Sequence, residues 1–327
     1  MARQRAVARR RTSFAATFEA ISANMTSVIR GKDDVVALVL VCLAAEGHLL
    51  IEDVPGVGKT SMAKALAASI DCEWRRIQFT PDLLPSDVTG VSVYDRASGT
   101  FEFRPGGVFA SIVVADEINR ASPRTQAALL EAMEERQVTV DSETRPLPNP
   151  FMVMATQNPV EHQGTYPLPD SQLDRFLMRI EVGYPDAAAE AAILEANPVD
   201  EIIHGLSPAA SADDVAHMVA SARAVHVSAS VRSYIIELAA ATRVHPSIDL
   251  GMSPRASVAL QRASRALAAA DGRDFVMPDD VKRLMHPVLQ HRLSLNGDAE
   301  IAGIDAGGVL DEVIASVRVP TRRAATG

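Results

Sequence analysis

Cysteine is nearly missing from this chain: Cys42 and Cys72 are the only two among 327 residues. Two thiols cannot build a disulfide framework or a four-ligand zinc centre. Aromatic residues are scarce at 4%, with Trp74 the single tryptophan, so there is no obvious stacking platform for nucleic acid. Long hydrophobic runs are absent too. The longest uncharged apolar stretch, Val35–Ala45, has 11 residues and is too short to span a bilayer. The basic beginning MARQRAVARRR is followed by no apolar segment of roughly 7–15 residues, so it does not read as a secretory signal. No fixed-period repeat or low-complexity tract is visible. With 47% hydrophobic and 22% charged residues, the composition is that of a globular protein without a membrane span, and a cytoplasmic location is expected.

Charge is unevenly spread. The net value is −9, yet residues 1–12 hold Arg3, Arg5, Arg9, Arg10 and Arg11 with no acid, leaving the remainder at −14. An acidic body repels nucleic acid at long range, so no nucleic-acid partner is expected. The basic arm at 1–12 reads as a frayed, disordered terminus. Only four of the 32 basic residues are lysines, so residue type alone singles out no arginine.

The first part of the chain alternates between helical and strand patterns. Helices are expected at Phe14–Val28, Asp34–Ala45, Gly58–Ile70 and Pro123–Arg136, the last with apolar Ala127, Leu130 and Met133 at helical spacing. Short apolar strands are expected at His48–Glu52, Arg75–Phe79, Ser111–Ala115, Phe151–Ala155 and Phe176–Val182. Strands separated by helices imply crossovers and a parallel sheet. Residues 91–94 and 100–104 flank a Ser-Gly turn and read as a hairpin, and 137–140 with 144–147 as a second. Beyond Gly183 only helices are expected, at 185–196, 211–224, 228–242, 254–270 and 278–290. The expected division is a basic arm at 1–12, an α/β domain at 13–184 and an all-helical domain at 185–327. Trp74, at a strand start, reads as core, and both cysteines as buried or incidental. His162 has no acid or thiol at metal-ligand spacing.

The strongest local signal is Asp53-Val54-Pro55-Gly56-Val57-Gly58-Lys59-Thr60-Ser61, between an apolar strand and a helix. Main-chain amides in such a loop, aided by the helix N-terminus, cradle a polyphosphate. Pro55, Gly56, Val57, Gly58, Lys59, Thr60 and Ser61 are therefore the expected nucleotide-binding residues. Lys59 would reach the β- and γ-phosphates and the Thr60 hydroxyl would ligate Mg²⁺. Asp53 stands where the usual pattern has its first glycine, a departure expected to matter little for phosphate contact.

A second signal follows the apolar run 112–115: two adjacent acids, Asp116 and Glu117, at the carboxyl end of a buried strand, where open α/β sheets bind ligands. Asp116 would hold the Mg²⁺ shell opposite Thr60. Glu117 would orient the water that attacks the γ-phosphate. The two motifs together point to a nucleotide hydrolase.

The stretches DEINRASPRTQAALLEAMEERQVTV, ATQNPVEHQGTYPLPDSQLDRF and GMSPRAS resemble the MoxR family of AAA+ ATPases over most of the chain, from about Gly31 to Leu293. The resemblance implies a P-loop AAA+ sheet of the helix-2-insert branch followed by a smaller α-helical lid, with ATP bound between the two at a subunit junction. It matches Asn158 to sensor 1, Arg175 to an arginine finger that reaches the neighbouring subunit's nucleotide, and Arg255 to sensor 2. It also implies ATP and Mg²⁺ as ligands, a homo-oligomeric ring, a hexamer by resemblance, and a partner with a von Willebrand factor A domain. The activity implied is remodelling, assembly or metal-insertion chaperoning of a client protein. In related rings the segment at 79–108 faces the channel and touches the client; an ordinary surface hairpin is the plain alternative. Two other readings stay open: a nucleotide-gated scaffold with little turnover, and a DNA-directed motor or regulator resting on the basic arm.

Overall fold

The computed structural model describes residues 13–53, 56–157, 165–195 and 199–320. The basic arm, Pro55, Asn158 and His162 lie outside these residues.

Helices α1 (Phe14–Val28) and α2 (Asp33–Ala44) lead into β1 (Leu49–Glu52), α3 (Lys59–Ser69) and β2 (Trp74–Gln78). A short α4 (Pro85–Thr89) precedes the hairpin β3 (Gly90–Asp95) and β4 (Thr100–Pro105). Next come β5 (Ile112–Asp116), α5 (Pro123–Glu135) and a second hairpin, β6 (Gln137–Val140) and β7 (Glu143–Pro146). β8 (Met152–Gln157), α6 (Asp170–Leu173) and β9 (Met178–Ile180) complete the α/β part. Strands β1, β2, β5, β8 and β9 form one sheet in the order β2-β5-β8-β1-β9, every pair parallel. Parallel pairing requires a crossover between successive strands, which is why both faces are covered and β5 is buried along its whole length.

Helices α7 (Ala187–Glu195), α8 (Val199–His204), α9 (Ala212–Ala224) and α10 (Ala229–Val244) follow. After β10 (Ile248–Leu250) come α11 (Pro254–Ala270), α12 (Pro278–Leu289), β11 (Ser294–Leu295), α13 (Gly297–Ile301) and α14 (Ala306–Ser316). The antiparallel β10–β11 pair departs from the all-helical expectation. The last sheet strand is also shorter than expected, Met178–Ile180 rather than 176–182. Trp74 is only half-buried: it packs against the edge of the core rather than within it, with the Lys64 ammonium 5.7 Å from its ring centre. Among the described residues no helix is long and apolar enough to cross a membrane.

Helix starts are set locally. Ser122, Ser228 and Ser253 each accept a hydrogen bond from the amide three residues on, and Pro123 and Pro254 occupy first-turn positions. Buried side chains form two clusters. One lies beneath α5 on one sheet face. The other fills the space between the sheet and α1–α3 and continues without a break into α9–α12. α2 is apolar nearly all round because it is enclosed by other helices, α1, α9 and α11.

Three arginines hold the turn between α2 and β1. The Glu46 carbonyl accepts from Arg136 Nη2 at 2.8 Å and Arg262 Nη2 at 3.1 Å. The Glu46 carboxylate pairs with Arg223, and Arg262 also bonds the Ala45 carbonyl. α9 and α11 are thereby seated on the edge of the sheet where its strands begin.

Candidate functional site

The apolar Leu49-Leu50-Ile51 of β1 is wholly buried and ends at Glu52, which is tied to Arg179 (2.9 Å) and Gln157 (2.8 Å). At Asp53 the chain turns toward the phosphate loop. The Asp53 carboxylate accepts the amides of Val182 (2.7 Å) and Gly183 (2.6 Å), and its carbonyl accepts Lys59 Nζ (2.8 Å). Its side chain thus pins the segment that follows β9 to the base of the loop, a structural task that explains an acid where the usual pattern has glycine. Gly58, at φ +86, occupies the left-handed region as the N-cap of α3 and lets the loop fold onto the helix.

Asp116 and Glu117 stand beside that loop. The Thr60 hydroxyl donates to Asp116 Oδ2 at 3.4 Å, Arg76 Nε donates to the same oxygen at 2.6 Å, and the Thr156 hydroxyl donates to Oδ1 at 3.1 Å. Glu117 sits at φ 56, ψ 49, a left-handed conformation unusual for a residue with a side chain. Its amide donates to the Thr156 hydroxyl at 3.0 Å, and its Oε2 accepts Gln78 at 2.8 Å and Arg120 at 3.0 Å. A cleft of about 360 Å³ is lined by Gly56, Gly58, Lys59, Thr60, Ser61, Arg76, Gln78, Asp116, Glu117, Thr156 and Gln157. Burial draws the Lys59 ammonium below its ordinary pKa, while Asp53, Asp116 and Glu117 pull it back up. A lysine in a partly desolvated cleft is poised to gain from an incoming polyanion.

The structure therefore brings Gly56, Gly58, Lys59, Thr60, Ser61, Asp116 and Glu117 together around one cleft. Val57 packs against the core at its edge. Asn158 follows Gln157, the last residue of β8, but itself lies outside the described residues. Four cleft residues, Arg76, Gln78, Thr156 and Gln157, are missing from the expected site residues. Arg76 and Gln78 are two apart on β2 and so share a face. That spacing was readable, but the neighbour it would meet was not, because strand order is not written in a local pattern.

Arg175 and Arg255 lie elsewhere. Arg175 precedes β9, and its cleft includes Gly47 and His48, which precede β1. The strand β1, about 13 Å of extended chain, separates them from the phosphate loop. Arg255, on the first turn of α11, does not line the phosphate-loop cleft; every residue lining that cleft is from the α/β part. Arg255 instead meets Arg175 across Glu134: Arg175 Nε lies 3.1 Å from Glu134 Oε2, and Arg255 Nη2 lies 2.8 Å from Oε1. The two arginines line a cleft of about 670 Å³, in which seven arginines face three acids, Glu46, Glu134 and Asp174. Such a surface suits a polyanion.

Comparisons with known proteins bear on both clefts. Residues 48–178 match the family described as ATPase family associated with various cellular activities (AAA), and residues 240–313 match the AAA lid domain. The chain is 49% identical over 302 residues to the uncharacterized protein YeaC of Bacillus subtilis, covering 92% of this chain and 94% of that protein. It is 39% identical over 320 residues to Chaperone MoxR1 of Mycobacterium tuberculosis, covering 93% and 82% respectively. The crystal structure of a candidate ATPase from Cytophaga hutchinsonii superposes with a TM-score of 0.86 at 36% identity, covering 94% of this chain and 96% of that one.

Proposed function

This chain belongs to the MoxR family of AAA+ ATPases, and from that premise we propose that it hydrolyses ATP at the phosphate-loop cleft and uses the energy to remodel or assemble a client protein. The observation that carries the reading is the meeting of Thr60 and Asp116, 3.4 Å apart, beside Lys59 in one cleft. The hydroxyl and carboxylate oxygens are the hard donors that magnesium takes, so the residues present fit it. When bound there, Mg²⁺ would neutralise charge on the β- and γ-phosphates.

The chain's own residues supply the rest. The loop amides and the start of α3 hold the phosphates, and Lys59 adds a point charge. Glu117 orients the attacking water and accepts its proton once Gln78 and Arg120 release its carboxylate. Asn158, by resemblance, contacts the same water or the γ-phosphate. The cleft's own arginine, Arg76, is committed to Asp116 and Gln78, so the guanidinium that stabilises charge on the transferred group comes from elsewhere. Arg175 provides it from an adjacent copy, with Arg255 beside it, so that each site is completed by a neighbour.

A homo-oligomeric ring follows, hexameric by family resemblance, in a cytoplasmic setting, with a von Willebrand factor A domain protein as partner. Metal-insertion chaperoning is one form the client work would take. The deciding experiment measures ATP turnover across protein concentrations. Specific activity should rise as copies assemble; turnover that stays near zero while ATP still binds would make the chain a nucleotide-gated scaffold.

A further inference from the structure

Arg175 and Arg255 come from different parts of the fold, one from the loop before β9 and the other from α11, yet they end side by side. Two guanidinium groups repel one another, and a carboxylate between them removes the conflict. Glu134, on the last turn of α5, supplies it with one oxygen per arginine, at 3.1 and 2.8 Å. It takes Arg175 by Nε. Arg175 itself lines the cleft, where a guanidinium fork can grip a phosphate. The backbone beneath is fixed as well. Arg292 donates to the carbonyls of Asp174 (3.0 Å) and Phe176 (2.8 Å) on either side of Arg175, and the Met133 carbonyl next to Glu134 is bonded to His48 Nε2 at 3.0 Å.

We infer that Glu134 is a positioning residue for hydrolysis in trans: it aligns the finger Arg175 with the lid arginine Arg255 so that both can close on the triphosphate held by the adjacent copy. This rests on the proposed reading that the two arginines serve a neighbour's nucleotide. A purely structural role fits the geometry less well. Glu134 and Arg175 are about a third exposed and Arg255 about half, and ion pairs so open to water add little to stability.

The test uses Glu134→Gln, which keeps the shape and loses the charge, and Glu134→Asp, which is too short to span both arginines. Each should melt within a few degrees of the parent and bind a fluorescent ATP analogue with unchanged Kd. For Glu134→Gln, kcat should fall by about tenfold or more, because small misplacements of a charge-stabilising group cost about that much or more. Glu134→Asp should fall between Glu134→Gln and the parent. The decisive readout is complementation. Lys59→Ala subunits cannot hold nucleotide but present an intact Glu134, Arg175 and Arg255. Mixed in equal amounts with Glu134→Gln subunits, they should face half of the impaired subunits' nucleotides and restore about half of parental turnover per Glu134→Gln subunit. A kcat within twofold of the parent, or a deficit that Lys59→Ala subunits do not relieve, would overturn the assignment. The same mixing with Arg175→Ala tests the underlying reading separately. If Arg175→Ala is rescued and Glu134→Gln is not, only the role of Glu134 falls. If neither is rescued, the trans reading falls with it.

Discussion

Two buried histidines should make this fold sensitive to mild acid. His48 is 5% exposed and His291 4%. Val153 N donates to His48 Nδ1 at 3.0 Å, so the ring carries its proton on Nε2 and donates it to the Met133 carbonyl. His291 Nε2 contacts the Phe176 carbonyl at 3.0 Å, and its Nδ1 is buried with no partner among the described residues. Burial lowers both pKa values to about 3, with the positive charge of Arg136 adding to the effect at His48 and that of Arg292 at His291. The folded values lie below the unfolded value of about 6.5. The stability is therefore fully present above pH 6.5 and is lost as pH falls toward 3. At pH 5.5 the unfolded chain has taken up nearly one proton per ring and the folded chain almost none, which costs about 1.4 kcal/mol per histidine and about 2.8 for the two. The figure hardly depends on the folded value so long as that stays well below 5. Urea unfolding at pH 7.5 and 5.5 measures it. A double variant, His48→Asn with His291→Gln, is less stable at pH 7.5 but subtracts every other titrating group. A parental loss of under about 1 kcal/mol between the two pH values, or an equal loss in the double variant, would refute the linkage. The rings bond the carbonyls next to Glu134 and Arg175. Acid should therefore loosen the arginine platform before the phosphate loop.

Glu117→Gln should bind ATP normally and lose about 10²- to 10⁴-fold in turnover, the range for removing a general base, as a coupled phosphate-release assay will show. Near-normal hydrolysis would end the water-activating role. Asp53→Asn should keep the loop but replace the negative acceptor of two amides. Hydrogen bonds to a charged group contribute about 1.5–3 kcal/mol each, so a stability loss of about 3 kcal/mol is expected in denaturant unfolding. A variant as stable as the parent would show that the carboxylate does not tie the segment after β9 to the loop.

What could be read from the sequence was local. The phosphate loop from Gly56 to Thr60 and the pair Asp116-Glu117 carry their chemistry within a few residues, and flanking apolar runs place them at strand ends. Helix starts at Ser122-Pro123 and Ser253-Pro254 were legible because one side chain and one ring set them. α14 was not, since Gly307 and Gly308 stand in its first turn and hide the helical pattern; Asp305 starts it by accepting the Gly308 amide at 3.0 Å. The partners of the acids were also out of reach. Arg76 meets Asp116 only because β2 pairs with β5, and Arg255 meets Glu134 across 121 positions of chain. The resemblance named Arg175 and Arg255 separately, but no spacing could put them in one cleft.

That pairing bears on assembly. The acids and phosphate loop occupy the edge of the sheet where strands end, and the arginine cleft occupies the edge where they begin. One chain thus presents a polyanion-holding face and a polycationic face on opposite sides, each lacking what the other has. On the proposed reading, two such chains would gain by meeting head to tail, not by a two-fold contact, because a two-fold would set like faces together. Head-to-tail contacts close into a ring or continue as a filament, according to the rotation from one copy to the next. The lid bears on that rotation. α9 and α11 share a core with α1–α3 and are tied to the Glu46 turn by Arg223 and Arg262. Arg255 is therefore carried on a body docked to the sheet. A nucleotide gripped by Arg175 and Arg255 at once would report its phosphate state to both parts of the neighbour. On the proposed reading, this is how hydrolysis in one subunit becomes movement in the next.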